Sequence, residues 1–531
     1  MSDKTKESEN RRVARAAGIV GVATLLSRIF GFIRDVVVAR YFGAGLSTDA
    51  FFVAFRIPNM LRRLLAEGSL TVSFVPVFTE YLNRESRKDA LQLANASFTL
   101  LSMILVGISI AGVLLSPFIV TIMAPGFTKY PDKYALTVFL TRLMFPYIFF
   151  ISLVALCMGI LNSLRHFAAP ALSPVLLNIA MIGAALLLRN YFTEPILALA
   201  VGVLIGGVLQ LSMQFPFLIK KGVRLRPDFH FRHPGIRRIG MLMLPAAFGA
   251  AVYQINVFIG TLLASFLPGA SVSYLYYADR IMELPLGVFA VAIGTASLPS
   301  LSEQVSRGDY KEMRKTLSFS MRLISFISIP ATFALVVLRV PIISVLFQRG
   351  EFDAKSAVLT SQALLFYALG LWGFSAIRVI VSAFYSLQDT RTPVNVGVAA
   401  LIVNTLLSMI LMFPLLHGGL AFATSIASAF NVALLMRILK KRIGSFLDRE
   451  YYRSTLKALI ASAAMWAAIA LVDFLFPWRN EAVFVERFLI LTSEIVCGGG
   501  VFLIFSYLLK SAEMLALLNA IRRRISAGRA A

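Results

Sequence analysis

The sequence predicts an all-α polytopic membrane protein with about 14 transmembrane helices, arranged as two parallel six-helix repeats plus two C-terminal helices. Three observations predict it: recurring apolar runs, basic residues confined to alternate loops, and an internal repeat. Of 531 residues, 58% are hydrophobic and only 15% are charged, and the mean hydropathy is +0.79. Soluble domains have about 25% charged residues, so this composition is typical of a chain that lies mostly in a bilayer.

Apolar runs long enough to cross a membrane recur along the whole chain. A hydrocarbon core of about 30 Å requires about 20 helical residues. The predicted spans are 16–40, 48–68, 93–116, 136–160, 171–189, 196–219, 238–266, 274–299, 317–338, 358–385, 394–414, 419–439, 455–476 and 485–508. The polar N-terminus lacks the compact apolar region and cleavage site of a signal peptide, so we expect the first span to be retained.

Basic residues mark the N-terminal tail, every second loop and the C-terminal tail. They are Lys4, Lys6, Arg11, Arg12 and Arg15; Arg84, Arg87 and Lys88; Arg165; Lys220, Lys221, Arg224 and Arg226; Arg307, Lys311, Arg314 and Lys315; Arg391; Lys440, Lys441 and Arg442; and Arg522, Arg523 and Arg524. The alternate loops are sparse or mixed in sign. By the positive-inside rule both termini are cytoplasmic, which requires an even number of spans.

Several function classes find no support in the sequence. The net charge of +24 lies in short loops and not in an aromatic-interleaved basic domain of the kind that binds a polynucleotide. No Gly-Lys dipeptide occurs, which excludes a P-loop ATPase. His230 and His233 are expected in a solvated loop and not in a metal site, and Cys157 and Cys497 are expected to be buried in apolar segments. We therefore expect no cofactor and no catalytic residue, and energy from the membrane potential or an ion gradient.

The chain aligns with itself at an offset of 223–224 residues. Gly45, Ser47, Ala54, Arg56 and Ile57 match Gly269, Ser271, Ala278, Arg280 and Ile281; Pro76, Glu80, Arg84 and Lys88 match Pro299, Glu303, Arg307 and Lys311; Pro117 and Gly126 match Pro341 and Gly350; Ser163, Leu164 and Pro170 match Ser386, Leu387 and Pro393. Six spans in each copy give both copies one orientation, a transporter architecture with the substrate site between the halves. The predicted parts are a cytoplasmic tail at 1–15, an N-lobe at 16–219, a basic linker at 220–237, a C-lobe at 238–439, a linker and the last two spans at 440–508, and a basic tail at 509–531.

Charged residues stand inside three predicted spans. They are Arg28, Arg34, Asp35, Asp49, Arg56, Arg62, Arg63 and Glu67 in the first two spans, and Asp279, Arg280 and Glu283 in the eighth. An arginine near the bilayer centre costs about 2.5–3.5 kcal/mol, so several of them require a reason. Guanidinium groups bind phosphate bidentately and stay charged at any depth, which favours a cavity for an anionic, phosphorylated cargo. Two alternatives stay open: side chains near the span ends reach the interface, and Arg–Asp pairs join helices.

Residues 25–81, LLSRIFGFIRDVVVARYFGAGLSTDAFFVAFRIPNMLRRLLAEGSLTVSFVPVFTEY, closely resemble the start of the MurJ (MviN) family of lipid II flippases, in the multidrug/oligosaccharidyl-lipid/polysaccharide exporter superfamily. Residues 271–303, SVSYLYYADRIMELPLGVFAVAIGTASLPSLSE, resemble the family's eighth span. Residues 384–394, FYSLQDTRTPV, are similar to its tenth-to-eleventh loop. Together with the spans and the repeat, the resemblance covers essentially the whole chain.

The resemblance implies a transporter, not an enzyme, that moves undecaprenyl-diphosphate-linked peptidoglycan precursor to the periplasmic leaflet of the bacterial cytoplasmic membrane by alternating access. In the family's cationic cavity, the substrate diphosphate would be bound by Arg28, Arg34, Arg62 and Arg280, with supporting charges from Asp35, Asp49 and Glu283. The implied partners are lipid II, membrane lipids and the cell-wall synthesis machinery. The last two spans would form a groove for the lipid tail. Some members have a sodium site, but the seventh span has Gln254 and Asn256 and no acid, which leaves ion coupling open.

Three other functions stay open on the residues alone. An exporter of another polyprenyl-diphosphate-linked oligosaccharide would recognise the same diphosphate and tail. A drug–cation antiporter of the same superfamily would have acidic residues in its cavity, which the arginines argue against. A non-transporting scaffold of cell-wall assembly would tolerate neutralisation of all four arginines.

Overall fold

A computed structural model describes residues 3–64, 70–479, 483–516 and 518, and of residues 3–17, 244 and 246–250 the backbone alone. Within these ranges the chain is almost wholly helical and contains no strand, which confirms the predicted all-α class. Contacts divide it into two compact units, Met1–Ser273 and Tyr274–Ala531. Glu67, Arg522, Arg523 and Arg524, predicted as charged positions, lie outside the described residues.

The described residues of the first unit form ten α-helices. They are α1 (Asp3–Phe42), α2 (Leu46–Arg62), α3 (Thr71–Arg84), α4 (Arg87–Leu114), α5 (Ser116–Met123), α6 (Pro131–Met144), α7 (Tyr147–Ser163), α8 (Ala168–Leu187), α9 (Leu197–Lys220) and α10 (Pro234–Ser265). Helix α1 thus includes most of the residues predicted to form the N-terminal tail. The last helix, α10, packs against α3 and α4 of this unit.

The second unit also contains ten helices in its described part. They are α11 (Ser271–Pro285), which begins in the last residues of the first unit, α12 (Val291–Ser306), α13 (Tyr310–Val337), α14 (Arg339–Phe347), α15 (Ala354–Leu369), α16 (Leu371–Ser386), α17 (Arg391–Leu415), α18 (His417–Ile443), α19 (Arg449–Leu475) and α20 (Phe484–Leu508). A π-helical turn at Leu286–Ala290 joins α11 to α12. The pair α19–α20 packs on α13, with Phe326 against Phe502.

Ten helical segments of the described residues are long and apolar enough to cross a membrane, or 11 if the bent pair α15–α16 forms one span. The pair bends by 42° at Gly370. Helices α1 and α2 carry the intramembrane charges, and α10 includes residues of which only the backbone is described. The polytopic architecture is therefore confirmed, whereas the count of fourteen and the lobe boundaries stay predictions.

The internal repeat is visible in the helix bounds. Helices α4 and α13 have 28 residues each, and they begin 223 residues apart. Their N-caps, Ser86 and Asp309, are also 223 apart, and each accepts a hydrogen bond from the backbone N–H three residues later. Arg165 and Gln388, just beyond α7 and α16, share a left-handed backbone with φ of 57° and 58°. Equivalent sequence therefore forms equivalent local structure in both copies.

A close backbone approach fixes the end of α10 in the first unit. Gly126, in the 3₁₀ turn between α5 and α6, donates its N–H to the Ser265 hydroxyl at 3.0 Å. A Cβ at Gly126 would lie 2.2 Å from the Ser265 carbonyl oxygen, so only glycine fits here. This contact explains why α10, predicted to start the C-lobe, packs with the first unit.

The two cysteines differ in burial. Cys157 is fully buried on α7, as expected, but Cys497 is exposed on α20, so the expectation was wrong for Cys497. An apolar run in a membrane protein can face lipid, and hydropathy alone does not separate lipid-facing from buried positions.

We predict that Asp389→Ala destabilises the loop before α17. The Asp389 carboxylate accepts hydrogen bonds from the Thr392 hydroxyl at 2.6 Å and the Thr392 N–H at 2.9 Å, and it pairs with Arg442 at 2.5 Å. These hydrogen bonds, with the nearby Arg442 charge, hold the pKa of Asp389 below its usual value. Loss of such a cap costs about 1 kcal/mol.

The pH dependence of this effect has a definite sign. A carboxyl whose pKa is lower in the folded protein adds stability above its unfolded pKa of about 3.9 and loses it as the pH falls below that value. In thermal melts of purified protein, Asp389→Ala should therefore lower the melting temperature at pH 7 and have a smaller effect near pH 3. An equal effect at both pH values would contradict the ionised cap.

Candidate substrate site

Arg34 on α1 is held by its neighbour Asp35 and by α8. Its guanidinium donates to Asp35 Oδ1 at 2.7 and 3.1 Å and to Asn178 Oδ1 at 3.0 Å. Asn178 in turn donates to the Ser27 carbonyl at 3.3 Å. Asp35 and Asn178 are both buried, and the Arg34 side chain is 12% exposed. The guanidinium is thus held by Asp35 and Asn178 without any ligand.

Arg28, six residues earlier on α1, is in the opposite situation. Its side chain is exposed, and it makes no hydrogen bond or ion pair within the described part of the chain. The sequence places Arg28 and Asp35 seven residues apart on one helix face, but Asp35 bonds to Arg34. An unpaired guanidinium on a membrane helix is available for an anionic ligand.

Arg56 and Arg62 of α2, and Arg63 directly after it, have different surroundings. Arg62 donates to Asn59 Oδ1 at 2.9 Å within its own helix. Arg56 donates to the Thr261 hydroxyl of α10, and Arg63 lies over the Tyr253 ring at 5.7 Å. Arg56 and Arg63 therefore connect α2 and the residue after it to α10.

Asp49 forms a buried ion pair that the sequence did not indicate. Its carboxylate is 2.7 Å from Lys133 Nζ, and it accepts hydrogen bonds from the Ser273 N–H at 2.7 Å and hydroxyl at 2.6 Å. Asp49 is 1% exposed and Lys133 4% exposed, and the Lys133 ammonium lies 4.1 Å from the centre of the Phe127 ring. The partners of Asp49 are thus Lys133 and Ser273. Arg56 and Arg63, which follow Asp49 at intervals of seven residues, are not its partners in these bonds.

The sequence predicts that Lys133, beside Asp132, lies in one of the loops of mixed charge, and it does not predict the pairing of Lys133 with Asp49. The available signal was weak: Lys133 is a basic residue in the first turn of a helix that becomes strongly apolar. Such a position is ordinarily solvated, because lysine is seldom fully buried without a partner. Only the packing of α6 against α2 identifies its partner.

Arg280 in the second unit lies on α11. It donates to Glu283 Oε2 at 2.7 Å, one turn further along the same helix, and its guanidinium lies over the Tyr276 ring at 4.8 Å. The Arg280 side chain is 34% exposed and that of Glu283 46% exposed. Glu283 therefore orients Arg280, and part of the guanidinium stays accessible to a ligand.

The model of the family described as "Lipid II flippase MurJ" matches residues 38–490. The chain belongs to this family. The "Probable lipid II flippase MurJ" of Vibrio cholerae serotype O1 is 39% identical over 92% of this chain and 94% of that protein. The "Lipid II flippase MurJ" of Burkholderia cenocepacia is 40% identical over 81% of this chain and 84% of its own length.

Solved structures agree with this membership. One titled "Lipid II flippase MurJ, inward closed conformation" is similar with a TM-score of 0.77 and 29% identity, over 92% of this chain and 98% of that chain. An inward-facing multidrug resistance MATE family transporter of the MOP superfamily has a TM-score of 0.60 at 15% identity, over 81% of this chain and 98% of that one, and so shares the fold alone. The assignment to the MurJ family thus rests on sequence and structure together. The similarity to the MATE transporter shows that proteins outside this family have a similar fold.

Proposed function

We propose that this chain exports lipid II, the polyprenyl-diphosphate-linked peptidoglycan precursor, from the cytoplasmic to the periplasmic leaflet by alternating access. Membership of the MurJ family supports the substrate class, and the accessible Arg28 and the fixed Arg34, both on α1, support the diphosphate as the recognised group. The function is transport and not catalysis. The chain would lie in the bacterial cytoplasmic membrane with both termini in the cytoplasm.

The proposed site uses arginines in two different ways. Arg34 is held by Asp35 and Asn178, so its guanidinium should lose little conformational entropy when it binds the ligand. Arg28 has no competing partner among the described residues and can turn its whole guanidinium to the ligand. Arg62 and Arg280 would contact the remaining diphosphate oxygens, with Glu283 holding Arg280. Asp49 would contribute indirectly, through its buried bonds to Lys133 and Ser273.

Energy for transport would come from the membrane potential or an ion gradient. A doubly charged headgroup that crosses the membrane experiences the potential at about 2.3 kcal/mol per charge per 100 mV. No group of three or more His, Cys, Asp or Glu side chains that could hold a metal ion occurs among the described residues. We therefore include no metal in the proposed cycle. The α19–α20 pair, which packs on α13, would provide the surface for the lipid tail.

The test is replacement of a lipid II flippase in a strain depleted of its own. Wild-type protein should restore growth and the accessibility of lipid II to an externally added enzyme that cleaves its diphosphate. Arg28→Gln, Arg34→Gln, Arg62→Gln and Arg280→Gln should each reduce export strongly. Arg307→Gln is the matched control, because Arg307 forms an exposed ion pair with Glu303 of the kind that contributes little.

Two results would contradict the proposal. Growth and lipid II export at the wild-type level with all four arginines neutralised would indicate a scaffold. Restored export of a different polyprenyl-diphosphate-linked sugar, with no movement of lipid II, would indicate the oligosaccharide-exporter alternative. The antiporter alternative has less support, since the candidate site is rich in arginine.

A further inference from the structure

The loop between α9 and α10, residues 221–233, combines exposed arginines with an exposed aromatic side chain. Arg224, Arg226 and Arg232 are exposed, and Phe229 is 67% exposed. The Phe229 and Phe231 rings meet edge to face at 5.9 Å. The one acidic residue of the loop, Asp228, accepts hydrogen bonds from its neighbour His230. The surface that remains is basic and aromatic, and nothing in the proposed transport site accounts for it.

Hydrogen bonds attach this loop to the N-terminal part of α4, between Arg87 and Thr99. The Arg226 N–H donates to Asn95 Oδ1 at 3.1 Å, and the Asp228 N–H donates to the Thr99 hydroxyl at 2.9 Å. Arg87, at the start of α4, donates to the Lys221 carbonyl at 2.7 Å. The loop is therefore folded back along α4 and does not extend beyond the helix end.

The length of α4 indicates how deep Asn95 and Thr99 lie in the membrane. Its 28 residues span about 42 Å, whereas the hydrocarbon core is about 30 Å thick. About eight residues therefore extend beyond the hydrocarbon, and we place them at Arg87 to Ala94, because the charged residues of α4 all lie in its first turn. Asn95 then lies at the hydrocarbon boundary and Thr99 one turn deeper. The loop, bonded to both, therefore lies where the hydrocarbon meets the lipid headgroups.

We propose that residues 221–233 form a binding surface for acidic phospholipids of the cytoplasmic leaflet, with Phe229 inserted at the headgroup level and Arg224, Arg226 and Arg232 on the phosphates. Exposed aromatic rings are stable at this level, and basic residues beside it attract anionic headgroups. The three arginines are spread along the loop sequence, from Arg224 to Arg232. This arrangement fits many lipids of a charged surface better than a single diphosphate headgroup.

This inference goes beyond the proposed lipid II transport and takes from it only the cytoplasmic position of the loop. The surface would hold the connection between α9 and α10 in the membrane plane. Its occupant is part of the bilayer, so its binding can be measured without lipid II. Failure of the inference would therefore leave the transport proposal untouched.

The depth of Phe229 is measured with a single tryptophan. Phe229→Trp is introduced into full-length protein in which Trp372, Trp466 and Trp478 are replaced by phenylalanine. The protein is then placed in vesicles that contain phospholipids brominated near the headgroup. We expect strong quenching and blue-shifted emission. Tyr310→Trp is the matched control, because Tyr310 is the first residue of α13, a helix of the same length, and should lie in water beyond the headgroups.

The lipid class is tested by changing the headgroup charge. Quenching of the Phe229→Trp variant should rise as phosphatidylglycerol replaces phosphatidylcholine, and the rise should weaken at high salt. Replacement of any one of Arg224, Arg226 and Arg232 by glutamine should weaken the apparent affinity for phosphatidylglycerol about five-fold. The melting temperature is measured alongside, and it should not change because these side chains are exposed.

Three outcomes would overturn the inference. Phe229→Trp that is quenched no more than Tyr310→Trp would place the loop in water. Quenching that is equal in phosphatidylglycerol and phosphatidylcholine would remove the preference for acidic headgroups. Quenching or an emission shift that appears only after addition of lipid II would make the loop a substrate contact.

Discussion

Arg28→Gln is expected to abolish lipid II export without change in the stability of the protein. The Arg28 side chain is exposed, and its removal breaks no hydrogen bond or ion pair within the described residues. Surface substitutions of this kind change the free energy of unfolding by less than about 0.5 kcal/mol. Export by the depleted strain and melting of the purified protein measure the two effects separately.

Arg34→Gln is expected to reduce both export and stability. Its removal leaves the buried Asp35 carboxylate without its guanidinium, and breaking a buried pair costs about 3–5 kcal/mol. The double variant Arg34→Gln with Asp35→Asn removes both charges, and it should recover most of the stability but none of the export. Restored export in the double variant would show that Arg34 acts on structure alone. Full stability of Arg34→Gln would show that Asp35 does not depend on it.

Lys133→Met is expected to destabilise the first unit strongly. It would leave the Asp49 carboxylate, 1% exposed, with no cation, at a cost of about 3–5 kcal/mol. Adding Asp49→Asn should restore much of the stability, because asparagine can still accept the hydrogen bonds from Ser273. Thermal melts of the purified variants measure both effects.

Lys129→Met is the matched control for this pair. Lys129 is exposed in the 3₁₀ turn four residues earlier, so its substitution should leave the melting temperature near that of the wild type. If Lys133→Met had the same melting temperature as Lys129→Met, the Asp49 carboxylate would not depend on Lys133 for its stability. Low export by Lys133→Met at a temperature where the protein is folded would add a transport role to the structural one.

The sequence by itself determined the membrane class, the repeat and the family. These properties follow from local patterns: about 20 apolar residues are needed to span a bilayer, and a helix places residues three or four apart on one face. The pairing of Arg280 with Glu283 was therefore visible as a three-residue spacing. The same locality explains the equal lengths of α4 and α13, since similar sequences with similar caps form similar helices.

The tertiary structure alone decided which charges meet across helices. Asp49 bonds to Lys133 and Ser273, 84 and 224 residues away, and Arg34 bonds to Asn178, 144 residues away. The seven-residue spacing of Arg28 and Asp35 correctly shows a shared face, but their pairing depends on which helix packs there. Helix periodicity fixes the direction of a side chain and not its neighbour. Packing of α8 on α1 brings Asn178 to Arg34, and packing of α6 on α2 brings Lys133 to Asp49.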